Sequence, residues 1–125
     1  MRKLVEAVLE DVSTREVFLF RIECPGCGLE YGNKPLRFSK ADAAASNPCK
    51  KVIYDALYEQ EHRDARNLAV SGAAEHMNYC PICKRLVCNR CFLICEELDM
   101  CRQCALELRQ TGQPVLPRMI EETTA

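Results

Sequence analysis

Tryptophan is absent from this chain of 125 residues, and the other aromatics are only four Phe and four Tyr. With so few large rings the hydrophobic core is expected to be thin, and a small domain with a thin core needs a covalent or metal staple. Long apolar runs are missing as well. No stretch of about 18 apolar residues occurs, so no membrane-spanning helix is expected. The opening Met1-Arg2-Lys3-Leu4-Val5-Glu6-Ala7 reaches Glu10 and Asp11 without the apolar stretch of a signal peptide. A cytoplasmic protein is the expectation, in a compartment where thiols stay reduced. Neither sign of charge dominates: 17 Lys and Arg stand against 18 Asp and Glu, a formal net charge of −1. There is no basic stripe either, because Lys84, Arg85, Arg90 and Arg102 are answered by Glu96, Glu97 and Asp99. A phosphate backbone binds poorly to such a surface unless a cationic face is segregated.

Cysteine, by contrast, is abundant. Ten are present, and eight fall into four C-x-x-C pairs: Cys24/Cys27, Cys80/Cys83, Cys88/Cys91 and Cys101/Cys104. A two-residue spacer lets the backbone curl so that both sulfurs face one ion while nearby N–H groups point at them. Four such pairs are the ligand inventory of two tetrahedral Zn2+ sites. Bound zinc would make the protein more acidic, since each four-thiolate site carries about −2. Only Cys49 and Cys95 are left over, as a helix-start or small buried residue and as a core residue or replacement ligand. His62 and His76 are read as surface helix residues.

The chain reads as one co-folded α+β domain in four stretches. Residues 1–38 carry strands and half a zinc ribbon: one strand over 3–9, a turn at 11–14, and a Val/Phe/Leu/Phe/Ile-rich strand over 16–23 that delivers Cys24-Pro25-Gly26-Cys27. Leu29–Tyr31 and Leu36–Phe38 are expected to form a hairpin about Gly32-Asn33-Lys34-Pro35. Residues 39–77 are a helical insertion. A short helix over Lys40–Ala45 would be capped by Ser39, and a long one would start at Asn47-Pro48 and kink or end near Ser71-Gly72. Val52, Ile53, Ala56 and Leu57 form one apolar patch on it; Ala65, Leu68, Ala69 and Ala73 form another, with a solvated polar run between. The cysteine-rich segment is 78–112, with strands at 86–87 and 92–94 and a last helix over Ala105–Gln110. Residues 113–125 are expected to be a fraying tail.

Only four residues separate Cys83 from Cys88, so those two pairs are expected to serve different ions. Two partitions then remain open. Either Cys24/Cys27 join Cys80/Cys83 and Cys88/Cys91 join Cys101/Cys104, or the pairs interleave.

The order knuckle at Cys80–Cys83, short hairpin over 85–100, and last pair in the first turn of a helix resembles the treble-clef zinc fold. Four pairs with a short gap between the second and third also resemble the cross-brace of FYVE and RING domains. The resemblance implies the interleaved partition, with Cys24, Cys27, Cys88 and Cys91 at site 1 and Cys80, Cys83, Cys101 and Cys104 at site 2. The string Cys80-Pro-Ile-Cys…Val87-Cys88-Asn-Arg-Cys91-Phe92…Cys101-Arg-Gln-Cys104-Ala105 is similar to small bacterial zinc proteins that join a ribbon half, a long helix and a treble clef. Departures are visible. Fifty-two residues separate Cys27 from Cys80, far beyond FYVE spacing. The basic cluster of FYVE domains and the histidine ligand usual in RING domains are both missing.

A catalytic zinc needs an open position filled by water, whereas here thiolates are in surplus. The deaminase pattern H-x-E with P-C-x-x-C is absent. No βαβ pattern surrounds Cys24–Cys27 as a redox pair would require, and the ferredoxin run of C-x-x-C-x-x-C is missing. A non-enzymatic, zinc-stabilised interaction module is therefore expected, without a small-molecule substrate. It would pair with another protein or with itself through the 48–77 helix. The alternatives are nucleic-acid binding through Arg85, Arg90 and Arg102, and a RING-like recruiting role.

Overall fold

A computed structural model describes residues 2–115, and it is a mixed helix-and-sheet protein organised around one long helix. In chain order the elements are α1 (Arg2–Val8), β1 (Glu10–Asp11), β2 (Val17–Phe18), β3 (Phe20–Glu23), β4 (Glu30–Gly32) and β5 (Leu36–Arg37). They continue with α2 (Pro48–His76), β6 (Met77–Tyr79), β7 (Leu86–Cys88), β8 (Phe92–Cys95), β9 (Met100–Cys101), α3 (Arg102–Glu107) and β10 (Gly112–Pro114). Every described strand pairing is antiparallel.

Asn47 starts the long helix as the sequence suggests. Its side-chain oxygen accepts the Lys50 N–H at 2.9 Å, and Pro48 takes the first helical position, where no partner for an N–H is needed. The helix does not end at Ser71-Gly72 but continues to His76. Glycine there serves a contact instead. A Cβ on Gly72 would lie 2.6 Å from the Tyr31 hydroxyl, and Tyr31 stacks on His76 with ring centroids 4.2 Å apart. At about 1.5 Å per residue, 29 residues span about 43 Å.

Small residues on one face of α2 let those sheets approach. Ala65 and Ala69 meet Phe18, Phe20 and Phe38 in one buried cluster. One turn further on, Val70, Ala73 and Met77 join Val5, Ile22, Val87, Phe92 and the buried cysteines in a second. The polar middle of the helix is only partly solvated, contrary to expectation. His62 lies against Phe18 and Phe20 and meets Asp11 at 2.8 Å, and Glu61 accepts hydrogen bonds from Ser39.

The N-terminal stretch departs most from the sequence reading. Residues 2–8 are helical rather than extended. The Val5/Ala7/Leu9 alternation is incidental, and Val5, on the inner face of α1, is buried in the cluster that includes Val70 and Ala73. The 16–23 run breaks at Leu19, whose N–H is taken by the Ser13 hydroxyl. Residues 29–31 and 36–38 do not pair with each other. β4 pairs with β3 across the first knuckle and β5 pairs with β2. Asn33 enforces this: its amide donates to the Phe18 carbonyl and accepts the Phe20 N–H. No helix forms over 40–45, because the Ser39 hydroxyl goes to Glu61 instead of capping it.

In the C-terminal part, β6 and β7 flank the second knuckle, and β8 lies between β9 and β10. The last helix opens on the Cys101–Cys104 pair, beginning at Arg102, and stops at Glu107, short of Gln110. Arg109, two residues past its end, takes a left-handed φ of 55°. Gly112 is needed for a close approach: a Cβ there would sit 2.5 Å from the Ile94 carbonyl oxygen. Gln113 and Pro114 belong to β10 rather than to a fraying tail, and 116–125 lie outside the described residues.

Candidate metal centres

The two knuckles are built alike, hydrogen bond for hydrogen bond. At the end of β3, Cys24 receives the Gly28 N–H on its carbonyl at 2.8 Å and donates its own N–H to Leu29 at 2.9 Å. At the end of β6, Cys80 receives the Lys84 N–H at 2.8 Å and donates to Arg85 at 2.9 Å. The residue closing each turn is left-handed, Gly28 at φ 78° and Lys84 at φ 62°. This curl turns the two sulfurs of a pair to the same side.

Each knuckle then meets a later pair. Cys88 ends β7 and Cys91 follows a tight turn; Cys101 ends β9 and Cys104 lies in the first turn of α3. The Cys88 N–H donates to Cys24 Sγ at 3.2 Å, and the Cys101 N–H donates to Cys80 Sγ at 3.3 Å. The sulfurs of Cys24, Cys27, Cys88 and Cys91 lie within 4.8 Å of one another, as do those of Cys80, Cys83, Cys101 and Cys104. Neighbouring sulfurs are 3.6 Å apart for Cys27–Cys88, 3.7 Å for Cys83–Cys101 and 3.9 Å for Cys80–Cys104. A tetrahedral ion with metal–sulfur bonds of about 2.3 Å requires sulfurs about 3.8 Å apart. The geometry therefore fits such an ion, and of the two partitions it is the interleaved one whose sulfurs meet.

Electrostatics makes the same demand for a cation. Burial pushes the Cys24 thiol up, but the N–H groups of Cys88, Cys27 and Gly26 outweigh it and bring the thiol down to about 7. Burial likewise opposes ionisation of Cys83. The side chain and backbone N–H groups of Arg85 overcome it and leave the thiol at about 6. Cys80 is lowered against its burial by N–H groups of Cys83, Cys101 and Ile82. Their neighbours go the other way: burial, then the adjoining sulfurs, pushes Cys88, Cys91 and Cys104 up. Four sulfurs this close cannot all ionise alone; a dication removes the conflict. An all-sulfur set suits soft, tetrahedral cations and not Mg2+ or Ca2+. Each set offers four sulfurs, the number that a tetrahedral ion takes.

The arginines singled out in the sequence gather around these centres. Arg85 donates from Nε to Cys83 Sγ at 3.3 Å and from Nη2 to Gln103 at 3.0 Å, and Arg102 donates to the Arg90 carbonyl at 2.8 Å. Two concavities of ≈ 390 and ≈ 290 Å³ share Cys27, Cys91 and Arg102 in their walls, with Arg90 in the first and Arg85 in the second. The part Arg85 plays on the sulfurs was not foreseen. Its position two residues past the knuckle, where site 1 has Leu29, is the signal that could have shown it. Cys49, in the first turn of α2, and Cys95, at the end of β8, lie outside both tetrads. Neither His62 nor His76 belongs to a tetrad.

No helix among the described residues is long and apolar enough to cross a membrane. No protein-family model, curated protein or solved structure matches the chain.

Proposed function

We propose that this chain is a non-enzymatic protein-interaction module, an adaptor or subunit held in shape by two four-cysteine Zn2+ sites. The observation that carries the reading is that each tetrad gathers four sulfurs within 4.8 Å of one another, enough to fill the coordination of a tetrahedral ion and make it a structural clamp. The order of knuckle, hairpin and helix-borne cysteine pair in 77–107 supports a treble-clef reading of that segment. A reducing, cytoplasmic setting fits ten cysteines that are all free.

The working surface is the outer face of the first turns of α2. Val52 and Ile53 are 69% and 56% exposed, with Ala56 exposed one turn on, while Ala65, Ala69 and Ala73 of the other patch are buried. An exposed apolar face on a long helix suits a partner protein or a second copy of the chain. Elemental analysis and native mass spectrometry test the clamps, with two zinc ions per chain expected. A metal-free protein, or one with crosslinked thiols, would overturn the reading.

A second reading is favoured by one observation, the shared walls that bring Arg85, Arg90 and Arg102 to adjoining concavities. Those side chains would contact a nucleic-acid backbone. Salt-sensitive binding of mixed oligonucleotides is its test, and absence of binding at low salt removes it.

A further inference from the structure

Of the eight paired cysteines, seven are buried or half-buried and one, Cys27, is exposed. The surface around it is concave, since two concavities have Cys27 and Cys91 in their walls. A small solute entering the larger one meets sulfurs of the first tetrad alone, with Arg102 beside them; the smaller one also has the buried Cys101 of the second tetrad in its wall. The second tetrad is better shielded. Cys80, Cys101 and Cys104 are buried, and Cys83, half-buried, carries the Arg85 guanidinium against its sulfur at 3.3 Å. The tetrads also differ in span: Cys27 and Cys88 are 61 positions apart, whereas Cys83 and Cys101 are 18.

We infer that the first tetrad is a peroxide-responsive metal centre in which Cys27 is oxidised first, Cys88 resolves it, and the second tetrad keeps its ion. This rests on the proposal that both tetrads hold zinc. In the first step the Cys27 thiolate attacks hydrogen peroxide. An S–O bond forms, the O–O bond breaks, and the leaving hydroxide takes a proton to become water. In the second, the Cys88 thiolate, whose sulfur lies 3.6 Å away, attacks the sulfenic sulfur. An S–S bond forms, the S–O bond breaks, and the hydroxide released takes a second proton. Two thiolates lose two electrons and the hydrogen peroxide gains them.

With Cys24 and Cys91 alone remaining, the ion has lost half its ligands and its site no longer holds it. The new bond joins the β3–β4 knuckle to the end of β7, so the crosslink keeps together what the ion held. A thiol reductant regenerates the four-sulfur site in place. The fold thus carries one reversible and one permanent clamp.

The experiment uses the full chain with Cys49→Ser and Cys95→Ser, which removes both thiols outside the tetrads. Metal content is measured first, and a chain without two zinc ions defeats the parent reading before any oxidant is added. Stoichiometric hydrogen peroxide is then added, metal release is followed with a chromogenic chelator, and disulfides are mapped by peptide mass spectrometry. The expected result is release of one zinc ion, a Cys27–Cys88 link, and recovery of two-zinc protein on reduction with zinc present. Loss of both ions together, loss from the second tetrad first, a crosslink within Cys80–Cys104, or no release would each overturn the inference.

Discussion

The backbone N–H of Cys88 points at the sulfur of Cys24, 3.2 Å away across 64 positions of sequence. The matching contact at the other centre, from Cys101 to Cys80, crosses only 21. One hydrogen-bond pattern therefore serves two tasks. The long-span site fastens the N-terminal sheet to the C-terminal part of the chain, and the short-span site shapes that part itself.

Removing a sulfur should act on whichever task it serves. Structural zinc contributes about 10–16 kcal/mol in zinc-finger peptides, comparable with the whole stability of a small domain at about 5–15 kcal/mol. Cys83→Ser and Cys104→Ser are expected to abolish the cooperative melt followed by circular dichroism. Cys24→Ser should retain one zinc ion and become sensitive to proteolysis in its first 47 residues. Cys49→Ser, at an exposed position outside the tetrads, should melt within about 0.5 kcal/mol of the parent.

The paired knuckles provide an internal comparison of backbone strain. Gly28 and Lys84 occupy the same turn position at φ 78° and 62°, a conformation that costs a non-glycine L-residue about 1–2 kcal/mol. Gly28→Val is thus expected to destabilise by at least about 1 kcal/mol, since a β-branched side chain tolerates that region worst. Lys84→Gly should be neutral or mildly stabilising, because relief of the same strain offsets the added freedom of the unfolded chain. Urea denaturation of both variants measures the contrast. Equal effects in the same direction would show that the two turns are not equivalent.

How much of this was legible in advance follows the reach of each interaction. The knuckles, the Asn47-Pro48 helix start and the strands near 86–88 and 92–95 are set by neighbours a few residues apart, and the sequence displays them. The partners of β4 and β5 are not local. They depend on Asn33 reaching back to Phe18 and Phe20, and nothing around 29–38 reveals it. Gly72 reads as a helix breaker because its reason, the Tyr31 hydroxyl, stands 41 positions away. At α1 the period-2 pattern of Val5, Ala7 and Leu9 competed with a helical one, and burial of Val5 beside Val70 decided it. The grouping of eight sulfurs into two sets needed either a resemblance or the structure, since spacing alone left two solutions.

Arg85 predicts a pH effect confined to one site. Its N–H groups hold Cys83 at about 6, against an ordinary value of 9.0. A thiol lowered on folding contributes stability in full above its ordinary value and loses it as pH falls through the folded one. Protons compete with the metal for the same sulfur, so a lower thiol pKa keeps the ion bound further into acid. Arg85→Ala removes the side-chain donors to Cys83 and Cys101, leaves the backbone N–H in place, and should shift zinc release from the second tetrad to higher pH. Release from the first should be unchanged. Stepwise acidification with a chromogenic chelator gives two release midpoints, and movement of both, or of neither, contradicts the assignment.

The outer face of α2 can be changed without touching the fold, which makes the interaction proposal separable from stability. Cys49, Val52, Ile53 and Ala56 follow the i, i+3, i+4, i+7 spacing of a single helical stripe, and all four are exposed. Substituting two of them by Glu removes apolar area from a surface that already faces water, so the cost to folding should stay within about 0.5 kcal/mol. A charge at the centre of an apolar contact, in contrast, would have to be desolvated on association. The Val52→Glu/Ile53→Glu double variant is therefore expected to melt like the parent while losing concentration-dependent association, read by size-exclusion chromatography with light scattering. If the parent associates and the double variant does so equally, the contact lies elsewhere. If the parent is a monomer at every concentration, self-association is excluded and the face is left for a different protein.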